Sequence, residues 1–152
     1  MNRGITLTQH VNAAAEKVWA VISDIPGSAA TLSGIDAIEM LSEGPYDKGT
    51  RWKETRTMLR RSETVEMWVT QSDPPRSTTV KALQVGADYT SKMTLTDRDG
   101  GTDLTVTFGA ELTNPSRATK IGMALFGKLG MRMTRKALAR DLAEIAVKAE
   151  SL

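Results

Sequence analysis

The chain has 152 residues, 40% of them hydrophobic, with a formal net charge of +2 and no cysteine. That length suits one domain with its own core, residues 1–152, and the missing cysteine excludes disulfides, thiolate metal sites and a cysteine nucleophile. The opening MNRGITLTQHVN holds no apolar block long enough for a signal peptide or a membrane span, so a cytoplasmic location is expected.

In chain order, Ile5 to Val11 alternates Ile5, Leu7, Gln9 and Val11 against Thr6, Thr8 and His10, the pattern of a strand. Asn12 is placed to cap a helix in which Val18, Trp19, Val21, Ile22 and Ile25 recur at helical spacing, stopped by Asp24 to Gly27. A second short helix is expected within Ser28 to Ser33. Six strands follow: Ala37–Ser42, Thr50–Met58, Glu63–Gln71, Thr78–Val85, Tyr89–Asp97 and Thr102–Thr113. The stretches EGPYDKG, SDPPRS and DRDGGTD mark turns, so the run reads as an antiparallel meander. Asn114 and Pro115 then begin a helix that continues almost to the end.

The fold class read from this order is α+β, a curved antiparallel sheet of about seven strands wrapped around a long C-terminal helix. One face of every strand needs cover, and only that helix is long enough to give it. Its inner stripe is Met123, Ala124, Gly127, Met131, Leu138, Leu142, Ile145 and Ala149. Ile121, Leu125 and Leu129 fall on the other side, an apolar strip expected to contact a second copy or a membrane surface unless the helix kinks at Gly127 to Gly130.

Charge is uneven along the chain. Arg117, Lys120, Lys128, Arg132, Arg135, Lys136 and Arg140 stand between Glu111 and Asp141 with no acidic residue among them, which reads as a solvated helix face. The strand Thr50–Met58 poses the sharper question, since Trp52, Glu54, Arg56 and Met58 share one face. Desolvating a carboxylate or a guanidinium costs several kcal/mol by rough estimate, so this face fits a cavity wall better than a dry core. A wall built from Trp52, Glu54, Arg56, Met58, Met67, Tyr89, Ser91, Met93, Phe108, Met123, Gly127 and Met131 is expected to bind ligand, with methionines filling irregular space. Glu54 is the candidate acid or base, and Arg56 the candidate partner for an acidic ligand end.

Other chemistry is poorly supported. His10, the only histidine, shares the polar parity of Thr6 and Thr8 and reads as a surface residue. In the loop Asp97 to Gly101 a glycine and, further on, Phe108 stand where calcium ligands belong, so no metal is expected. Gly127-Lys128-Leu129-Gly130 matches a GxxG clamp, but it lies in a helical run after all the strands, which argues against nucleic acid.

The stretches VNAAAEKVWAVISDI and IEMLSEGPYDKGTRWKETRTM, the DPPR turn, DRDGGTDLTVTF and the final helix together resemble the polyketide cyclase/dehydrase branch of the START-like (Bet v 1-like, SRPBCC) superfamily. The resemblance implies a helix-grip fold with a deep, mostly apolar cavity between sheet and C-terminal helix. It implies binding of lipids, sterols, polyketides or other hydrophobic small molecules, with no shared catalytic set; no cofactor is expected. A minority of members catalyse cyclisation or dehydration. Three functions follow from it: hydrophobic-ligand binding, an aromatase/cyclase- or dehydrase-like enzyme, and a membrane-docking lipid or quinone carrier.

Overall fold

Seven strands form one antiparallel sheet in the computed structural model, which describes residues 2–58, 60–84, 87–112 and 128–152. The strands are β1 (Asn2–Val11), β2 (Ile35–Met40), β3 (Arg51–Met58), β4 (Arg61–Asp73), β5 (Ser77–Gln84), β6 (Ala87–Arg98) and β7 (Gly101–Leu112). Helices α1 (Ala15–Ile22) and α2 (Ser28–Thr31) separate β1 from β2, and α3 (Lys128–Glu150) ends the chain. The spatial order is β1-β7-β6-β5-β4-β3-β2, so the predicted meander pairs each strand with the next, and β1 joins its far edge beside β7. The β6–β7 hairpin turns on Asp99 and Gly100, both with positive φ, as a tight two-residue hairpin requires. This is the expected helix-grip architecture.

The strand alternation sets which side chains meet α3. Ile5 and Val11 of β1 are buried, as are Leu104, Val106 and Ala110 of β7 and Tyr89 and Leu95 of β6. At one end, Val11, Val18, Leu95, Leu104, Val106, Leu142, Ile145, Ala146 and Ala149 close into a dry core, with Leu7, Trp19 and Ile22 packed against it. The last two turns of α3 supply this core, and Arg132, Arg135, Lys136 and Arg140 remain exposed, the solvated basic face that the charge pattern suggests.

Three local expectations change. Asn12 does not cap α1, whose N-cap position is Ala14 with no side-chain bond. The turn is instead held by tertiary contacts: the Asn12 N–H donates to Glu150 Oε2 (3.0 Å), and Thr102 Oγ1 donates to the Ala13 carbonyl (2.7 Å). The second strand begins at Ile35 rather than Ala37, because a bulge between those residues lets β2 start earlier than alternation suggests. It also stops at Met40. The helical start at Asn114, Met123, Gly127, the glycine kink, and Ile121 and Leu125 of the proposed docking strip lie outside the described residues, as do the side chains of Met58 and Leu129. Among the described residues no helix is long and apolar enough to cross a membrane.

Leu104 is fully buried in the dry core, so Leu104→Ala should destabilise the fold by about 2–5 kcal/mol in urea unfolding. Val147→Ala, at a position 71% exposed, should change stability by less than about 0.5 kcal/mol.

Candidate functional site

Beside the dry core, the sheet and α3 separate around a cavity of about 320 Å³. Its walls come from the inward residues of β3 to β7, from α1 and α2, and from Thr134, Ala137, Leu138, Asp141 and Ile145 of α3. Of the residues expected to face a ligand, Trp52, Glu54, Arg56, Met67, Tyr89, Ser91, Met93 and Phe108 line this space. Met131 does not line it, and packs behind the wall against the cluster of Ala82, Ala87, Tyr89 and Ala110.

The charged face of β3 resolves into one network. Arg56 Nε donates to Glu54 Oε2 (2.8 Å), and Arg56 Nη2 donates to Asp141 Oδ2 (2.8 Å) on α3. The Trp52 indole N–H donates to Glu54 Oε1 (3.3 Å). Trp52 is buried, and the two carboxylate side chains are only 12% and 11% exposed. Burial opposes the charge of Arg56, but Glu54 and Asp141 outweigh it and hold the guanidinium above its usual range. Burial pushes the Asp141 carboxyl up, and Arg56 offsets only part of that rise. Among the described residues Asp141 Oδ1 has no hydrogen-bond partner, which leaves that oxygen desolvated.

Gly34, in the turn between α2 and β2, lets the network close. A Cβ there would stand 2.7 Å from Arg140 Nη2, 3.0 Å from Arg56 Nη1 and 3.6 Å from Asp141 Oδ1. The neighbouring Ser33 N–H points at the Glu144 carboxylate, 3.2 and 3.3 Å away. The turn is thus tied to α3 through Ser33 and Glu144.

The rest of the wall is mostly apolar. Tyr89 stacks on Phe108 with centroids 5.9 Å apart, and burial together with nearby Glu63 pushes its phenol up to about 12. At the β5 side, Tyr46 Oη and Thr78 Oγ1 share a hydrogen bond of 2.6 Å, Thr78 donating onward to the Gln71 carbonyl. His10 stands apart, exposed and bonded to Asp103 (2.8 Å).

The sequence reading missed Asp141. Its position was legible, because 134, 138, 141 and 145 follow helical spacing on the apolar stripe, and a carboxylate there requires a buried partner. In the sequence it reads only as the residue that ends a basic run. The Arg56 fork is partly occupied: two of its five N–H groups are engaged by carboxylates of the protein itself.

A family model described as "Polyketide cyclase / dehydrase and lipid transport" matches residues 3–150. The chain belongs to that family. Solved structures share its fold at low identity. A Thermus thermophilus protein is 15% identical with a TM-score of 0.80, covering 98% of each chain. A Streptomyces aromatase/cyclase is 18% identical with a TM-score of 0.79, over 99% of this chain and 94% of its own. Truncated norcoclaurine synthase from Thalictrum flavum is 14% identical with a TM-score of 0.71, over 96% and 92%. No curated protein sequence matches the chain.

Arg56→Met should leave two carboxylates in the wall without their cation and lower stability at neutral pH by about 3–5 kcal/mol in urea unfolding. Because the folded state already raises the Asp141 pKa, ionising that group opposes folding, so the deficit should shrink as pH falls through the raised carboxyl range. Tyr89 offers a second pH signature. Its phenolate is disfavoured in the fold, so its contribution to stability is intact below its ordinary value of 10 and is lost as pH rises through about 12. Ultraviolet titration should show Glu63→Gln moving this transition down towards the ordinary tyrosine range.

Proposed function

We propose that residues 1–152 form one ligand-binding domain whose function is to hold a hydrophobic small molecule between the sheet and α3. The observation that carries this reading is the cavity of about 320 Å³, whose mostly apolar wall contains one self-paired charged cluster. A cavity of that size and lining suits a small molecule with an apolar body and few polar groups. Trp52, Met67, Met93 and Phe108 supply apolar contact, and Glu54, Arg56, Tyr89 and Ser91 orient the polar end. The family description, which includes lipid transport, supports the same class of ligand.

A second reading, a cyclase- or dehydrase-like enzyme, is favoured by one feature: Asp141, a carboxyl with a raised pKa beside a guanidinium in the cavity wall. A general acid–base works best when its pKa approaches the working pH. The Streptomyces aromatase/cyclase of like fold is consistent with that reading. Here Asp141 replaces Glu54 as first candidate, because both Glu54 oxygens already accept from Trp52 and Arg56.

Native mass spectrometry of the purified protein should show a co-purified small molecule of low polarity, released on unfolding. A chain that stays empty and takes up no apolar probe would refute the binding reading. If the chain turns over a polyketide or hydroxyacyl substrate, Asp141→Asn should lower kcat by about two orders of magnitude or more, with a smaller effect on binding. A pure binding protein gives no turnover to lose.

A further inference from the structure

The wall of the cavity is unevenly secured. Strands β3 to β7 each have a hydrogen-bonded neighbour on both sides, α3 is anchored in the dry core, and α1 is held by the fully buried Val18. Between α1 and β2 the chain runs differently. Ile25 is buried with Trp52 and Val69, and Ile35 is buried at the start of β2. Residues 26–34, between these two anchors, include α2 and hold no buried residue, yet Ser28, Thr31 and Leu32 line the cavity.

The hydrogen bonds of this segment are local as well. Among the described residues, the Ser28 N–H donates to the Ile25 carbonyl, the Thr31 N–H to that of Gly27, the Leu32 N–H to that of Ser28, and the Gly27 N–H to Asp24 Oδ1. One bond crosses to another element: the Ser33 N–H donates to the Glu144 carboxylate on α3, 3.2 Å from its nearer oxygen. Leu32 packs against the dry core but is only partly buried. Gly34 sits close on α3, and the nearest atom a Cβ there would meet is the tip of the exposed Arg140 side chain, which can move aside. A segment with local bonds and little burial opens at a lower free-energy cost than the elements around it.

From the lack of burial between Ile25 and Ile35, the local bonding and the single hydrogen bond to α3, we infer that residues 26–34 are a door through which ligand enters and leaves. The door hinges at Gly27 and Gly34 and is latched by Glu144. The inference rests on the proposed binding role and adds its route of entry. Glu144 does not line the cavity, so it sets the rates of entry and release and leaves affinity to the wall.

N-phenyl-1-naphthylamine, an uncharged fluorescent probe, reads both rates when mixed with the full-length protein by stopped flow. Glu144→Ala removes the latch and should raise entry and release together by about threefold to tenfold, with their ratio unchanged. The chain has no cysteine, so Ser33→Cys combined with Glu144→Cys can be joined by a short bismaleimide. The joined form should slow both rates by about tenfold or more relative to the same double variant left unjoined. In the empty protein, the amides of Thr31 and Leu32 should exchange with deuterium ahead of those in the last turns of α3. Unchanged rates in either variant, or exchange at these amides as slow as in the dry core, overturn the door and leave the binding role standing. An altered affinity with unchanged entry overturns it too, because Glu144 would then act on the bound ligand. A protein that takes up no probe refutes the binding role and this inference with it. Should Glu144→Ala fail to fold, the joined and unjoined forms decide.

Discussion

The guanidinium of Arg56 joins the two halves of the molecule across 85 positions of sequence. It lies on the third strand, receives Glu54 from its own strand, and reaches Asp141 on the C-terminal helix at 2.8 Å. Each of the three charges would be costly in that place alone, because an unpaired ion in an apolar wall loses its hydration without compensation. Together they hold the helix over the sheet at the point where apolar packing stops. The absent side chain of Gly34 belongs to the same constraint, since a methyl group there would press on both arginines.

The helix divides its work along its length. Leu142, Ile145, Ala146 and Ala149 enter a core closed by Val11, Leu104 and Val106. In the stretch just before it, Thr134, Ala137, Leu138 and Asp141 face the cavity. The dry end anchors the helix through non-directional burial, and the ion pairs then fix its position at the hollow end. A cavity survives because the elements around it are secured elsewhere, and its walls need not meet.

Membership of the polyketide cyclase/dehydrase and lipid transport family, together with structural likeness to proteins of quite different names, places the weight of specificity on the wall rather than on the scaffold. The same sheet and helix can enclose different polar groups. Here the polar end is self-paired through Arg56, Glu54 and Asp141, and Tyr89 and Phe108 form a stacked aromatic pair on neighbouring strands.

Much of this was legible from residue order. The alternation of Leu104, Val106, Phe108 and Ala110 marked the inner face of its strand, and the parity of Trp52, Glu54 and Arg56 marked a wall that could not be a dry core, because side-chain direction in a strand follows from a period of two. Glycine, proline and aspartate gave the turns for the same local reason. What the residue order did not reveal was pairing. Asn12 looks like a cap, but its backbone binds Glu150 at the far end of the chain. Arg56 looks like a free fork, and it is partly occupied by a residue that sequence spacing never brings near it. Local steric rules act over a few residues and can be read in order, whereas the partner of a buried charge is settled only when the sheet and helix fold together around it.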